Sequence, residues 1–233
     1  MSDDQVPRLI RRPMPNAVAY DLMTPGKVII TLPPGSTWTS GLHWHESHTE
    51  YLTLLHGSIR LRLGSADDER IVTAAPGHQP QIKIERNQWH EWRRASPDGD
   101  EVVVSETTDP ADGQKAIFFW NLNGVLLNVP RIAGDSKTFI GKCPAAFQAA
   151  LVDFWITLNL YVIFHYLDNI PVLFQFSPSF NLLDWVASRL ILFLAAQLGW
   201  LMNARPVRLK YTPAKEYAEW MRTTQSGKSN KTE

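Results

Sequence analysis

Two histidines stand two positions apart in Gly41-Leu42-His43-Trp44-His45-Glu46-Ser47-His48-Thr49-Glu50-Tyr51. On a β-strand alternate side chains share a face, so His43 and His45 point the same way. Glu50 follows and can add a carboxylate oxygen. Imidazole plus carboxylate, with positions left open for water or substrate, suits a divalent ion such as Fe, Mn, Ni or Zn. Glu50 lies an odd number of residues after His45. On one unbroken strand it would face away, so shared coordination requires a bend or bulge near Ser47 and Thr49. His-x-His also occurs on strands that bind nothing, so the surrounding elements must decide.

The chain has 233 residues, 44% of them hydrophobic, enough for one large domain or a medium domain with an appendage. Its formal net charge is zero, which points away from a nucleic-acid partner. Cys143 is the single cysteine, so no intrachain disulfide can form and nothing demands an oxidising compartment. The N-terminus begins acidic with no apolar run behind it, and the expectation is a cytoplasmic protein with membrane association left open.

Residues 1–26 are proline-rich and read as an arm carrying a short strand near Ala17–Tyr20. From Lys27 the chain alternates and turns repeatedly. Strands are expected at Lys27–Leu32, Trp38–His45, Tyr51–Leu55, Ser58–Leu63, Arg70–Ala74, Gln81–Glu85, His90–Arg94 and Glu101–Ser105. Short strands without intervening helices predict an all-β barrel or sandwich over 27–110. Residues 111–213 change to apolar patterning: Lys115–Leu127 fits helix or strand, with helix favoured, while 144–168 and Leu182–Met202 have helical spacing. Residues 214–233 are expected to be a polar tail, disordered over Thr223–Asn230.

With the strands laid out, His43-Trp44-His45, then Glu50, then Gly57 resembles the first motif of the cupin superfamily. The second motif of that family places a third histidine after a Pro-x-Gly turn one hairpin later. The matching stretch here is Ile84-Glu85-Arg86-Asn87-Gln88-Trp89-His90, which puts His90 in that position. Asn87 stands where glycine would, and asparagine is the best substitute in a left-handed turn. Arg94 stands where the motif ends in asparagine, and the family's leading glycine would fall near Thr37, where this chain has Gly35 and Gly41 instead. The resemblance covers roughly residues 27–108. It implies a six-stranded, jelly-roll-like β-barrel, mainly β overall with an apolar helical extension, and a divalent metal held by His43, His45, Glu50 and His90.

His78, in the turn Pro76-Gly77-His78, competes with His90 for the third imidazole. His48 and His56 have the wrong spacing to be ligands, and His165 lies on an apolar helical face. Glu46 and Glu91 flank the ligands on the opposite parity. Trp92 shares the parity of His90 and, with Trp38 and Trp89, is a candidate lining for an apolar substrate pocket; ordinary barrel core is the competing account.

The layout of one cupin followed by an aromatic segment and long apolar helices is similar to cupin-domain oxidoreductases of fungal polyketide gene clusters, those of salicylaldehyde type. That resemblance implies an oxidoreductase acting on a small, apolar, oxygenated polyketide-derived intermediate of fungal secondary metabolism. Two alternatives stand beside it: a non-redox cyclase, dehydratase or isomerase, and a cupin that binds a ligand or partner without catalysis. For residues 144–203 three roles compete: packing on the barrel or in a homodimer, membrane contact with Arg205, Arg208 and Lys210 as a basic flank, and a lid over the barrel mouth.

Overall fold

The computed structural model describes residues 6–65, 67–128, 143–177 and 182–229. Among them the chain is mainly β, with a helical C-terminal part. Eleven strands form two antiparallel sheets. They are β1 (Leu9–Arg12), β2 (Val18–Asp21), β3 (Lys27–Leu32), β4 (His43–Trp44), β5 (Thr49–His56), β6 (Ser58–Leu63), β7 (Glu69–Thr73), β8 (Gln81–Ile84), β9 (His90–Arg94), β10 (Val102–Asp109) and β11 (Ile170–Pro171). One sheet runs β1-β2-β3-β10-β5-β8 and the other β11-β4-β9-β6-β7.

From β3 to β10 the chain alternates between the sheets except at the β6–β7 hairpin, giving the orders β3-β10-β5-β8 and β4-β9-β6-β7. That is the strand order of a double-sheet jelly roll, the architecture the cupin resemblance implies. Each of the eight stretches read as strands from the sequence holds one, so eight strands close the roll rather than six. β1 and β2 come from the proline-rich arm and extend one sheet, while β11 extends the other.

Alternation decides which side chains go inside. Val28, Ile30 and Leu32 on β3, Ile59, Leu61 and Leu63 on β6, and Val102 and Val104 on β10 are all buried. Removing such an aliphatic side chain from water is worth about 1.5–3 kcal/mol. On β6 the intervening Arg60 and Arg62 are only half-buried, as the pattern predicts. The expected strand Trp38–His45 is shorter than its alternation suggests. Only His43–Trp44 is laddered, with one bridge from Thr39 to Arg93.

The helices are α1 (Gln114–Leu127), α2 (Ala145–Tyr166), α3 (Leu182–Leu201) and α4 (Ala214–Ser229). The tail expected to be disordered is helical through Ser229, and Asn230–Glu233 lie outside the described residues. Good helix formers from Ala214 to Arg222 carry it, and the Thr223 and Thr224 hydroxyls bond back to the Trp220 carbonyl at 2.9 and 2.8 Å. Contacts divide the chain into two compact units. One is Arg8–Ala116 with Asp168–Leu194; the other is Met1–Pro7, Ile117–Leu167 and Ala195–Glu233. Residues from Asp168 onward group with the sheets because β11 pairs with β4. In the helical unit Leu158, Val162 and Ala204 form a buried cluster. Asn121 ties α1 to Thr212 at 2.9 Å and accepts the Arg208 amide at 2.9 Å.

Gly57 turns β5 into β6 with φ +81°, and a Cβ there would stand 2.7 Å from the Glu101 carbonyl oxygen. Gly64 also has positive φ, but its Cβ would meet nothing within 4 Å. Gly57→Ala is expected to cost about 1–3 kcal/mol, and Gly64→Ala only the ~1 kcal/mol of a left-handed alanine. Chemical denaturation of the two variants measures the difference.

Candidate metal centre

The site begins with strand register. His43 on β4 lies directly opposite His90 on β9, so two imidazoles from neighbouring strands face one side. His45 follows β4, and its carbonyl accepts the Asn87 amide at 2.6 Å. Asn87 has φ +62°, the left-handed turn expected of the residue in the glycine position. Glu50 lies on β5, in the other sheet. The bulge demanded by parity is therefore replaced by a larger event: between His45 and Thr49 the chain changes sheet. His43, His45, Glu50 and His90 are all buried, and one ligand atom from each lies within 4.8 Å of the others.

Each ring is fixed by its other nitrogen. His43 Nδ1 donates to the Gly41 carbonyl at 2.8 Å, His90 Nδ1 to the Gln88 carbonyl at 3.1 Å, and His45 Nδ1 to the Asp168 carbonyl. A carbonyl can only accept, so Nδ1 carries hydrogen in all three. In a neutral ring Nε2 then presents a lone pair. His45 Nε2 and His90 Nε2 stand 2.8 and 3.0 Å from Glu50 Oε2. Lone pairs aimed at a carboxylate oxygen repel unless a cation lies among them, either protons on the rings or a metal ion. Two donors about 2.1 Å from a metal and at right angles are about 3.0 Å apart. The spacings from Glu50 to His45 and to His90 fit an ion of that size, and Nδ1–H to carbonyl is the usual orienting contact for a metal-bound histidine.

Charge follows burial and neighbours. Burial, then the adjacent His90 and His45 rings, holds His43 well below its ordinary pKa, so its nitrogen stays available as a donor. Burial works to raise Glu50, but the Lys115 ammonium, with hydrogen bonds from His45 and His90 when their Nε2 atoms carry protons, outweighs it and holds the carboxyl well below the usual range. Lys115, in the first turn of α1, contacts Glu50 Oε1, leaving Oε2 toward the imidazoles. Its Nζ also lies 2.9 Å from Glu106 Oε2, and Glu106 Oε1 accepts the Trp92 indole N–H at 3.0 Å. Burial pushes Glu106 up to about 7, with Glu50 adding to the rise and Lys115 opposing it.

A second cluster supports the loop between the sheets. The Asp168 carboxylate accepts the amides of Glu46 and Ser47 at 2.8 and 2.9 Å. It also meets His48 Nδ1 at 2.6 Å, while His48 Nε2 is 3.2 Å from Asp112. Hydrogen bonds to Asp112 and Asp168 raise His48 to about 9, so it is a buried imidazolium between two carboxylates.

Of the residues singled out in the sequence, the four ligand candidates converge. His78 is exposed at its turn and His56 is exposed at the end of β5; neither belongs to the cluster. Trp38 and Trp92 pack on each other with centroids 4.8 Å apart, whereas Trp89 stacks on Trp44 at 6.4 Å. Glu46 pairs with Arg189 at 2.8 Å, and Glu91 accepts the Thr39 hydroxyl at 2.7 Å. Arg94 is buried and donates to the Leu32 and Asp100 carbonyls, each at 2.8 Å. Lys115, Glu106 and Asp168 were missed. Glu106 carried a signal, since it shares the inward parity of Val102 and Val104. Lys115 and Asp168 carried none, being brought in from a helix and a distant loop.

No protein-family model matches the chain, and no curated protein matches it. Solved structures give partial likenesses. CapF, a capsular polysaccharide assembling protein from Staphylococcus aureus, matches at 17% identity over 43% of this chain and 30% of its own, with a TM-score of 0.32. A predicted oxalate decarboxylase from Thermotoga maritima matches at 17% identity over 46% of this chain and 95% of its own, with a TM-score of 0.34. The CENP-C cupin domain of Drosophila melanogaster matches at 13% identity over 43% of this chain and 74% of its own, with a TM-score of 0.30. The strand order, not these likenesses, carries the fold.

Two outcomes test the electrostatics. His48 is raised above its unfolded value, so its contribution is complete below about pH 6.5 and is lost as pH rises through about 9. His48→Gln should flatten the fall of stability across that window, read by denaturation at stepped pH. Lys115→Met leaves two buried carboxylates without their cation and should cost about 3–5 kcal/mol. Adding Glu106→Gln should restore part of that loss in the same measurement.

Proposed function

We propose that this protein is a metal-dependent enzyme of cupin type whose metal ligands are His43, His45, Glu50 and His90. The observation that supports it best is the set of three Nδ1–H groups committed to carbonyls, which turns the lone pairs of His45 and His90 on one buried carboxylate oxygen and leaves that of His43 free for the same cluster. A divalent ion bound there would supply a Lewis acid for a substrate oxygen or, as a redox metal, a centre for dioxygen chemistry. The chain's own residues then have defined tasks. Lys115 holds one oxygen of Glu50, which favours single-oxygen donation from the other. The surrounding burial keeps water from the ligands and keeps His43 neutral.

The narrower reading is an oxidoreductase acting on a small, apolar, oxygenated polyketide-derived intermediate of fungal secondary metabolism. It rests on the resemblance in layout and on the candidate pocket residues Trp38 and Trp92, whose buried rings pack on each other. The same ligands also suit enolate stabilisation, so a non-redox cyclase, dehydratase or isomerase remains the alternative chemistry.

Protein purified without chelators should contain stoichiometric metal by elemental analysis, and added metal should raise its thermal midpoint. His45→Ala and the isosteric Glu50→Gln should each lose that metal and the turnover of phenolic polyketide intermediates. A metal-free His45→Ala protein with undiminished turnover would overturn the assignment.

A further inference from the structure

We infer that the outer face of α3 docks on a lipid bilayer, holding the β unit against the membrane without crossing it. The helix is inside out. Asp184, Ser188 and Leu192, spaced four apart on one face, are fully buried. Leu183, Val186, Leu190, Leu194 and Leu201, on the opposite face, are exposed, with Leu190 and Leu194 each 53% accessible. In a water-facing helix the polar side chains would be outside. Here Asp184 accepts the Phe176 amide at 2.7 Å and Ser188 accepts the Leu173 amide at 3.1 Å. Arg189 is tied to Glu46 at 2.8 Å. Every charged group of the helix therefore has a partner within the β unit, as a helix lying against lipid requires.

Three features favour lipid over a second copy of the chain. The exposed face carries no charge, and Gln197 is its one polar residue, whereas protein interfaces carry about one hydrogen bond per 100–200 Å² and a polar rim. The helix has 20 residues and is about 30 Å long, and its exposed face is apolar along that length except at Gln197. Trp200, 67% accessible, closes the ridge, and the exposed basic residues Arg205 and Lys210 follow in the chain, the order of an interfacial anchor beside anionic headgroups. By length and composition α3 could cross a membrane. Its contacts through Asp184, Ser188 and Arg189 commit one face to the β unit, so only the other can meet lipid.

The test is flotation of the full chain with phosphatidylcholine vesicles, with and without phosphatidylserine. Wild-type protein should float, more completely with the anionic lipid. Leu190→Glu with Leu194→Glu should lower the partition at least about tenfold. Ile71→Glu, which removes an exposed apolar residue from β7, should leave it unchanged. Unchanged metal content and circular dichroism of the double variant exclude misfolding. Wild-type protein that stays with the aqueous phase overturns the proposal, as does a double variant that floats equally well. If wild type is a dimer, the double variant a monomer, and neither floats, the face joins copies of the chain and lipid docking is refuted.

Discussion

A buried carboxylate facing two imidazole lone pairs, with a third imidazole packed beside them, is an arrangement that water cannot relieve. Glu50 sits at the point where the two sheets come together, closed off from solvent and ionised. Moving such an anion from water into a protein interior costs several kcal/mol after relaxation. The surroundings respond in two directions. Lys115 neutralises one oxygen from the side of α1, and the imidazoles crowd the other. The three rings cannot rotate away, because each is pinned at Nδ1 to a main-chain oxygen. Positive charge among the Nε2 atoms is what makes the group mutually attractive, and this requirement links the fold to its chemistry.

The fold delivers that geometry through register rather than through any one loop. His43 and His90 are strand partners, so the ladder of β4 and β9 sets their separation. Glu50 belongs to the facing sheet and reaches the same point because the roll brings its two inner faces together. A one-residue slip of β4 or β9 would send an imidazole to the opposite face. The buried Trp44–Trp89 stack on the far side of those strands resists such a slip, since both rings would then have to enter the roll.

Much of this was legible in the sequence. Alternating residues marked β6 and β8 as strands and named the inward face of β6, because period two is a direct consequence of extended backbone. His43, His45, Glu50 and His90 could be picked out by spacing and family likeness. What could not be read was how Glu50 reaches the histidines. Parity arguments apply within a strand, and here the chain leaves one sheet for another between the donors. Lys115 and Asp168 stayed hidden for a related reason, since their neighbours are set by the path of the chain and not by nearby residues. The helical end of the protein was obscured by composition: Thr223, Thr224 and Gln225 read as a polar tail, yet the preceding run of helix formers carries α4 through them.

Asp168 does two different things with two different parts of itself. Its carboxylate orders the turn at Glu46–His48, while its peptide oxygen holds the ring of His45. Any replacement removes the carboxylate or, with glutamate, moves it out by a methylene; the peptide oxygen is common to all twenty amino acids. A scan of point replacements would therefore record only the turn-ordering half of this position. The hold on the imidazole would come to light only when the main chain itself is displaced, by inserting or deleting a residue just before Ile170, and two sites of unequal tolerance would be found to occupy one place.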